Sequence, residues 1–275
     1  MKSTNGFRFL MCPPHHFGVE YVINPWMRGH IKAADQELAC RQWERFHALM
    51  SDHADVALMP AVSGLPDLVF TANAALVYNR TAVLSSFRCP ERRPEARHYA
   101  EWLSADGFQV KTLPSGTMFE GAGDALFDRA VKSLLWFGYG YRSDAAASRH
   151  LQNSIGVEVQ ELRLRDPRFY HLDTCFCPLE GGYLFYYPAA FDRQANAAIE
   201  SRVSADRRFA VAEEDAIHFA CNAVNIGKKV ILNYATRELA AWLVSHGFDV
   251  NQTLMSEFIK AGGSTKCLSL RLNEC

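Results

Sequence analysis

The chain has 275 residues, 49% hydrophobic and 21% charged, with 29 basic side chains against 30 acidic ones. That composition is globular, and a net charge of −1 gives no electrostatic case for nucleic acid or an anionic membrane as partner. No apolar run approaches the ~20 residues of a membrane span, so a cytoplasmic protein with no membrane attachment is expected.

In chain order, the first predicted strand is residues 7–12, too short for a signal-peptide core and stopped at once by Pro13-Pro14. His15 and His16 follow; strand neighbours point to opposite faces, so the pair cannot easily share a ligand and a structural role is expected. Residues 74–84 read as an apolar hairpin turning at Asn79-Arg80. The basic run from Arg88 to Arg97 also carries Glu91 and Glu95, the pattern of a solvated helix face. In Trp102-Leu103-x3-Gly107-Phe108-x-Val110 a helix ends, a glycine suits the left-handed position, and a strand begins.

The pattern then returns. Further hairpins are predicted at residues 125–137, turning at Asp128-Arg129, at 175–187, turning at Gly181-Gly182, and at 221–232, turning at Gly227-Lys228. Helices are expected to start at Ser143 and Thr236, both good N-caps, and near residues 192–203. Closing strands lie at Ile155-Gly156-Val157-Glu158-Val159 and in Trp242-Leu243-x3-Gly247-Phe248-x-Val250. The unit is strand–strand–helix–strand, repeated at a spacing of roughly 50 residues, which marks stacked or circular repeats. A fifth unit can be assembled from residues 7–12 with 267–272, a terminal strand closing the ring and removing a sheet edge. The expectation is an α/β protein of circular repeats, one domain over residues 1–275.

Polar residues fall at matching places in these units. Asn73, Asp124, His171 with Asp173, Asn222 and Cys267 each stand before or at the start of a first apolar strand. A circular array brings such positions to the central axis, where they would form one small-molecule pocket. Read as a strand, Tyr170-His171-Leu172-Asp173-Thr174 points His171 and Asp173 the same way. With Cys267 they could supply a nucleophile, a proton carrier and a holder for a cation. Asn222 has no evident role. Of the eight cysteines, most read as buried small hydrophobes. Cys175-x-Cys177 lacks the second pair a zinc site needs, and nothing indicates export and disulfides. No phosphate loop, dinucleotide fingerprint or helical metal motif is present, so no cofactor or metal is expected.

Four segments carry a resemblance that covers nearly the whole chain. Pro66-Asp67-Leu68-Val69-Phe70-Thr71-Ala72-Asn73, Glu120-Gly121-Ala122-Gly123-Asp124, His171-Leu172-Asp173-Thr174 and Gly262-Gly263-Ser264-Thr265-Lys266-Cys267 resemble, in this order, segments of the pentein superfamily of guanidine-modifying enzymes. The resemblance implies a five-bladed α/β propeller of ββαβ repeats with pseudo-fivefold symmetry. A narrower likeness, to the arginine dihydrolase group, lies in Met11-Cys12-Pro13-Pro14, in Ile23-Asn24-Pro25-Trp26-Met27 and from Phe119 through Leu126. It implies conversion of arginine to ornithine, carbon dioxide and two ammonia. Arginine deiminase, dimethylarginine dimethylaminohydrolase or amidinotransferase activity is the alternative. An idle propeller that only binds partners is the non-enzymatic one.

On this reading Cys267 attacks as thiolate and forms an S-amidino adduct, and His171 carries the protons. Glu120 orients His171 and favours its charged form. Asp173, Asn73 and Asp124 hold guanidinium nitrogens. Arg88 and Arg142 are candidates for the carboxylate of a bound arginine or substituted arginine, and Asn24 for its amino group. Self-association stays open. Arginine deiminases carry aspartate where this chain has Asn73. An amide that rotates can accept from a guanidinium and later donate to a urea oxygen, a route to two rounds of hydrolysis.

Overall fold

The computed structural model describes residues 6–274. Five three-stranded sheets stand around a common axis, in the order their sequences repeat. In each, an antiparallel pair is followed by a helix that returns the chain to a third strand, parallel to the second. One blade is Ala75–Tyr78, Thr81–Leu84, helix Glu95–Ala105 and Gln109–Lys111. The next is Ala125–Phe127, Leu134–Tyr139, Ala147–Ile155 and Glu158–Arg163. The third is Phe176–Leu179, Tyr183–Tyr186, Arg193–Arg202 and Arg208–Ala210; the fourth is Val224–Ile226, Lys229–Leu232, Arg237–Ser245 and Asp249–Gln252. The fifth joins the two chain ends, with Leu270–Arg271 antiparallel to Arg8–Met11, and Arg8–Met11 parallel to Asp55–Leu58 across helix Gln36–Ser51.

The expected five-bladed α/β propeller is therefore the observed one, and local chemistry explains its units. Leu103 and Leu243 are fully buried near the ends of their helices, and Phe108 and Phe248 bury themselves just beyond the turn. Gly107 and Gly247 stand between at φ +86° and +77°, where a side chain would strain the backbone. Thr236 caps its helix as expected, accepting from Leu239 N at 3.3 Å, and Asp192 does the same for Ala195 N at 2.8 Å.

Other expectations need correcting. The turn placed at Asp128-Arg129 is a longer loop over residues 128–133, because Arg129 folds inward to pair with Glu274 at 2.5 Å. Ser143 does not cap a helix. The helix starts at Ala147, and the Ser143 hydroxyl is drawn to the axis instead. The solvated face expected from Arg88 to Arg97 is broken by Arg92 and Glu95, both buried and joined by two bonds of 2.9 and 2.8 Å. His15 and His16 lie exposed in a turn, not on a strand.

What positions the site is the set of turns that lead into each blade. Asn73 ends the 3-10 turn Thr71–Asn73, Asp124 follows Gly121–Gly123, and Asp173 sits inside Leu172–Thr174. Asn222 and Cys267 occupy the equivalent turns of the last two blades. Hydrogen bonds link these turns in a closed circle. Ala72 N donates to Cys267 O at 3.1 Å, Asn73 Nδ2 to Glu120 O at 3.4 Å and Leu172 N to Asp124 Oδ1 at 3.1 Å. Asn222 Nδ2 donates to Asp173 O at 3.0 Å, and its Oδ1 accepts from Cys267 N at 3.2 Å.

Candidate active site

Cys267 is 2% exposed, and its sulfur faces a carboxylate and an amide. Sγ lies 3.5 and 3.7 Å from the two oxygens of Asp173 and accepts from Asn222 Nδ2 at 3.1 Å. Burial, and then the charge of Asp173, hold the thiol well above its usual range, so it rests protonated and donates to Asp173. Burial also raises Asp173 itself, to about 6, against the pull of Lys266.

His171 is equally enclosed, and its Nε2 lies 2.7 Å from Glu120 Oε2. Glu120 accepts further bonds from Arg142 Nη1 at 3.0 Å and Arg88 N at 3.1 Å. Burial would raise Glu120, but Arg142 and His171 outweigh it and hold the carboxyl below its usual range. Burial lowers His171 to about 4 although Glu120 pulls the other way. Glu120 favours the charged imidazole as expected, but burial outweighs it. Glu120 orients the ring, but it shares its charge with Arg142, and the ring rests neutral. A strand does not carry His171 and Asp173 on one side either. They flank the bend of a 3-10 turn, so His171 faces Glu120 while Asp173 faces Cys267.

The pocket beside Cys267 is small, about 240 Å³, and is lined by Asn24, Asp67, Asn73, Arg92, Arg142 and Tyr170 among others. It sits behind a wider vestibule that Arg88, Cys89, Tyr141 and Arg142 border. Another cavity lies elsewhere on the axis, among the apolar first strands, and its charged Arg129 and Glu274 pair with one another.

Several candidates take duties other than those expected. Asp124 uses both oxygens within the protein, accepting from Ser143 Oγ at 2.6 Å and Leu172 N at 3.1 Å, so it braces the neighbouring turns. Arg88 is paired with Asp144 and stands in the vestibule. Arg142 is buried, stacked 4.6 Å over Tyr170 and bonded to Ile23 O at 2.9 Å as well as to Glu120. Asn24 caps the turn Pro25–Met27, accepting from Trp26 N at 2.9 Å and donating to Ala261 O at 3.0 Å, and also lines the pocket.

Asn73 does not rotate freely. Its Oδ1 accepts from Arg92 Nη1 at 2.8 Å, and rotation would turn an NH2 group onto that guanidinium. Gly123 packs so closely that a Cβ there would stand 2.2 Å from Asn73 Nδ2. The amide is therefore held at both ends, Oδ1 by Arg92 and Nδ2 against Gly123 and Glu120 O, to which it donates at 3.4 Å.

Two residues that the sequence reading passed over stand in this pocket. Arg92 looked like one more surface charge in a mixed run, and only its i,i+3 spacing from Glu95 hinted at a pair. Asp67 lay inside a quoted segment without a role. Its Oδ2 accepts from Tyr21 Oη at 2.8 Å, and its buried Oδ1 has no hydrogen-bond partner. Among the described residues that oxygen is thus unpaired, and burial raises the carboxyl although Arg92 pulls it down.

Five blades of this topology, with their polar turns gathered at one end of the axis, place the molecule in the pentein class. Residues 14–272 match the family described as N,N dimethylarginine dimethylhydrolase, eukaryotic, and the chain belongs to that family. It is 50% identical over 271 residues to the bifunctional arginine dihydrolase/ornithine cyclodeaminase AgrE of Nostoc sp., covering 98% of this chain but 38% of that protein. It is 39% identical to the N(G),N(G)-dimethylarginine dimethylaminohydrolase of Mycobacterium tuberculosis, over 97% of this chain and 86% of the relative. A crystal structure of the N-terminal domain of ArgZ bound to product, described as an arginine dihydrolase from Cyanobacteria, superposes with a TM-score of 0.96 at 50% identity, covering 98% of both chains.

Proposed function

We propose that this chain is a hydrolase that converts arginine to ornithine, carbon dioxide and two ammonia through a covalent intermediate on Cys267, as one cytoplasmic catalytic domain over residues 1–275. The observation that carries the reading is the amide of Asn73, fixed by Arg92 in the pocket it shares with Cys267, where a deiminase would carry a carboxylate. The half-identity to a protein named as an arginine dihydrolase supports the same reading.

The mechanism follows from the charges. A guanidinium bound against Asp173 offsets the negative charge that keeps the thiol protonated, so the nucleophile forms when its target arrives. The thiol proton passes to the neutral His171, and the sulfur bonds to the guanidinium carbon. His171 returns the proton to the leaving nitrogen, a C–N bond breaks, and ammonia departs from an S-amidino cation. His171 then takes a proton from water, the hydroxide adds, and the C–S bond breaks to give citrulline and the thiol. The surplus proton leaves with ammonia as ammonium. Asp67 Oδ1 is placed for a cationic group of the substrate, and Arg92 and Arg142 for its carboxylate. Asn73 is proposed to hold the urea oxygen of citrulline for a second displacement: the sulfur bonds to the urea carbon and the second ammonia leaves, protonated by His171. Water, deprotonated by His171, then cleaves the C–S bond of the S-carbamoyl adduct, and the resulting N-carboxyornithine loses carbon dioxide to give ornithine. Incubation with arginine should give ornithine and ammonia at 1:2, measured together with citrulline; citrulline with one ammonia would overturn the reading.

A second reading, hydrolysis of methylated arginine, is favoured by the family description and the mycobacterial relative. The same assay with dimethylarginine separates the two.

Binding should depend on pH through Asp173. Its pKa is raised to about 6, so it is ionised above that value and loses its charge below it. His171, at about 4, does not titrate in this window. Arginine affinity of Cys267→Ala, measured by calorimetry, should fall as pH drops through about 6, by up to tenfold per unit. In the Cys267→Ala/Asp173→Asn double variant the affinity should be low and flat; a retained acid limb would assign the titration elsewhere.

A further inference from the structure

We propose that Asn222 is a positioning residue for Cys267, aiming one amide N–H at the sulfur so that the thiolate can form beside a carboxylate. The inference rests on the reading of Cys267 as nucleophile, and adds to it the group that makes that nucleophile usable.

The orientation of the amide is fixed by its surroundings. Asn222 is fully buried, and two backbone N–H groups converge on one atom of its side chain, Ser264 N at 3.0 Å and Cys267 N at 3.2 Å. Two donors require an acceptor, so that atom is the oxygen, and the NH2 faces the other way. There it meets Cys267 Sγ at 3.1 Å and Asp173 O at 3.0 Å, which uses both of its hydrogens. The main-chain oxygen of the same residue accepts from Thr265 Oγ1 at 2.7 Å and Lys266 N at 3.2 Å. Five of these six bonds thus hold the turn that ends in the nucleophile, and the sixth ties it to Asp173 in the neighbouring turn.

The charges around the sulfur show why a donor is needed there. Asp173 faces it from the turn before the third blade, Lys266 is its chain neighbour, and the Tyr170 hydroxyl group belongs to the same enclosure. Asp173 opposes a negative sulfur. Burial and then Asp173 push the thiol up, while the Ser264 N–H, the Asn222 amide and Lys266 pull it down. Among these, Asn222 alone both fixes the backbone of Cys267 and donates from its side chain to Sγ. Aspartate has the same shape and keeps the acceptor, but it offers no N–H and adds a second negative charge.

The test compares Asn222→Asp with Thr265→Val, which cuts a bond to the same turn without touching the amide. Iodoacetamide labelling of Cys267 is followed against pH by peptide mass spectrometry, which separates it from the other cysteines and needs no turnover. In Asn222→Asp the midpoint should rise by at least about one pH unit, with labelling at pH 8 slowed about tenfold. In Thr265→Val the thermal midpoint should fall while the labelling midpoint stays. Equal shifts in both variants, or none in Asn222→Asp, would overturn the proposal. Should Asn222→Asp not fold, Asn222→Ser, smaller and uncharged, is read in the same way. If labelling shifts as expected but no variant or wild type turns over arginine, the failure lies with the proposed reaction and not with Asn222.

Discussion

Replacing Cys267 by alanine should lower kcat for arginine by about 10⁴-fold or more, the scale of a lost catalytic nucleophile. The fold should survive. The side chain removed is small, and its partners are held by other bonds: Asn222 keeps the Asp173 carbonyl, and the turn keeps its backbone ties to Asn222. The stability change should stay within about 1 kcal/mol, read from urea denaturation. Arginine should still bind, because Asp173, Asp67 and the two buried arginines remain. Turnover near the wild-type rate would end the covalent mechanism. Loss of both turnover and cooperative unfolding would show Cys267 to be a packing residue.

Asn73→Asp should change what the enzyme makes. The wild-type amide lines the pocket and carries no charge, its Oδ1 pinned by Arg92 and its Nδ2 donating to Glu120 O. An aspartate would still pair with Arg92, but it would turn a carboxylate oxygen toward the urea oxygen of the half-reacted substrate. Losing a hydrogen bond worth about 1 kcal/mol shifts retention by roughly fivefold, and repulsion adds to that. The ratio of ornithine to citrulline should therefore fall at least about fivefold, measured by chromatography of both products from one incubation. A variant that is slower but keeps its product ratio would sink the retention argument.

The parts of this molecule visible in the sequence are those with local causes. Hairpin turns at Asn79-Arg80 and Gly181-Gly182, the helix cap at Thr236 and the repeated Gly-Phe after each Trp-Leu all act within a few residues. Their repetition exposes the propeller. The site was legible as a set of positions, because each blade begins with a polar turn. The duties within the set were not, since contacts far apart in sequence, within and between blades, decide them. Asp124 reads like a substrate clamp until Ser143 and Leu172 occupy it. Arg92 reads as surface until its blade brings it against Asn73. Helix Gln36–Ser51 and strand Asp55–Leu58 went unassigned because the unit they complete is split between the two ends of the chain.

That split has a consequence for how a ribosome delivers the enzyme. Strand Arg8–Met11 can pair with Asp55–Leu58 as soon as both have emerged, but its other edge stays open until Leu270–Arg271 arrives. The nucleophile travels on that same late segment, three residues ahead of the closing strand. On the proposed reading, a nascent chain carries His171, Glu120 and Asp173 before the sulfur of Cys267, which arrives with the strand that closes the ring. On the same reading, a chain stopped short of Cys267 should lack activity, because it lacks both the proposed nucleophile and the strand that shuts the ring.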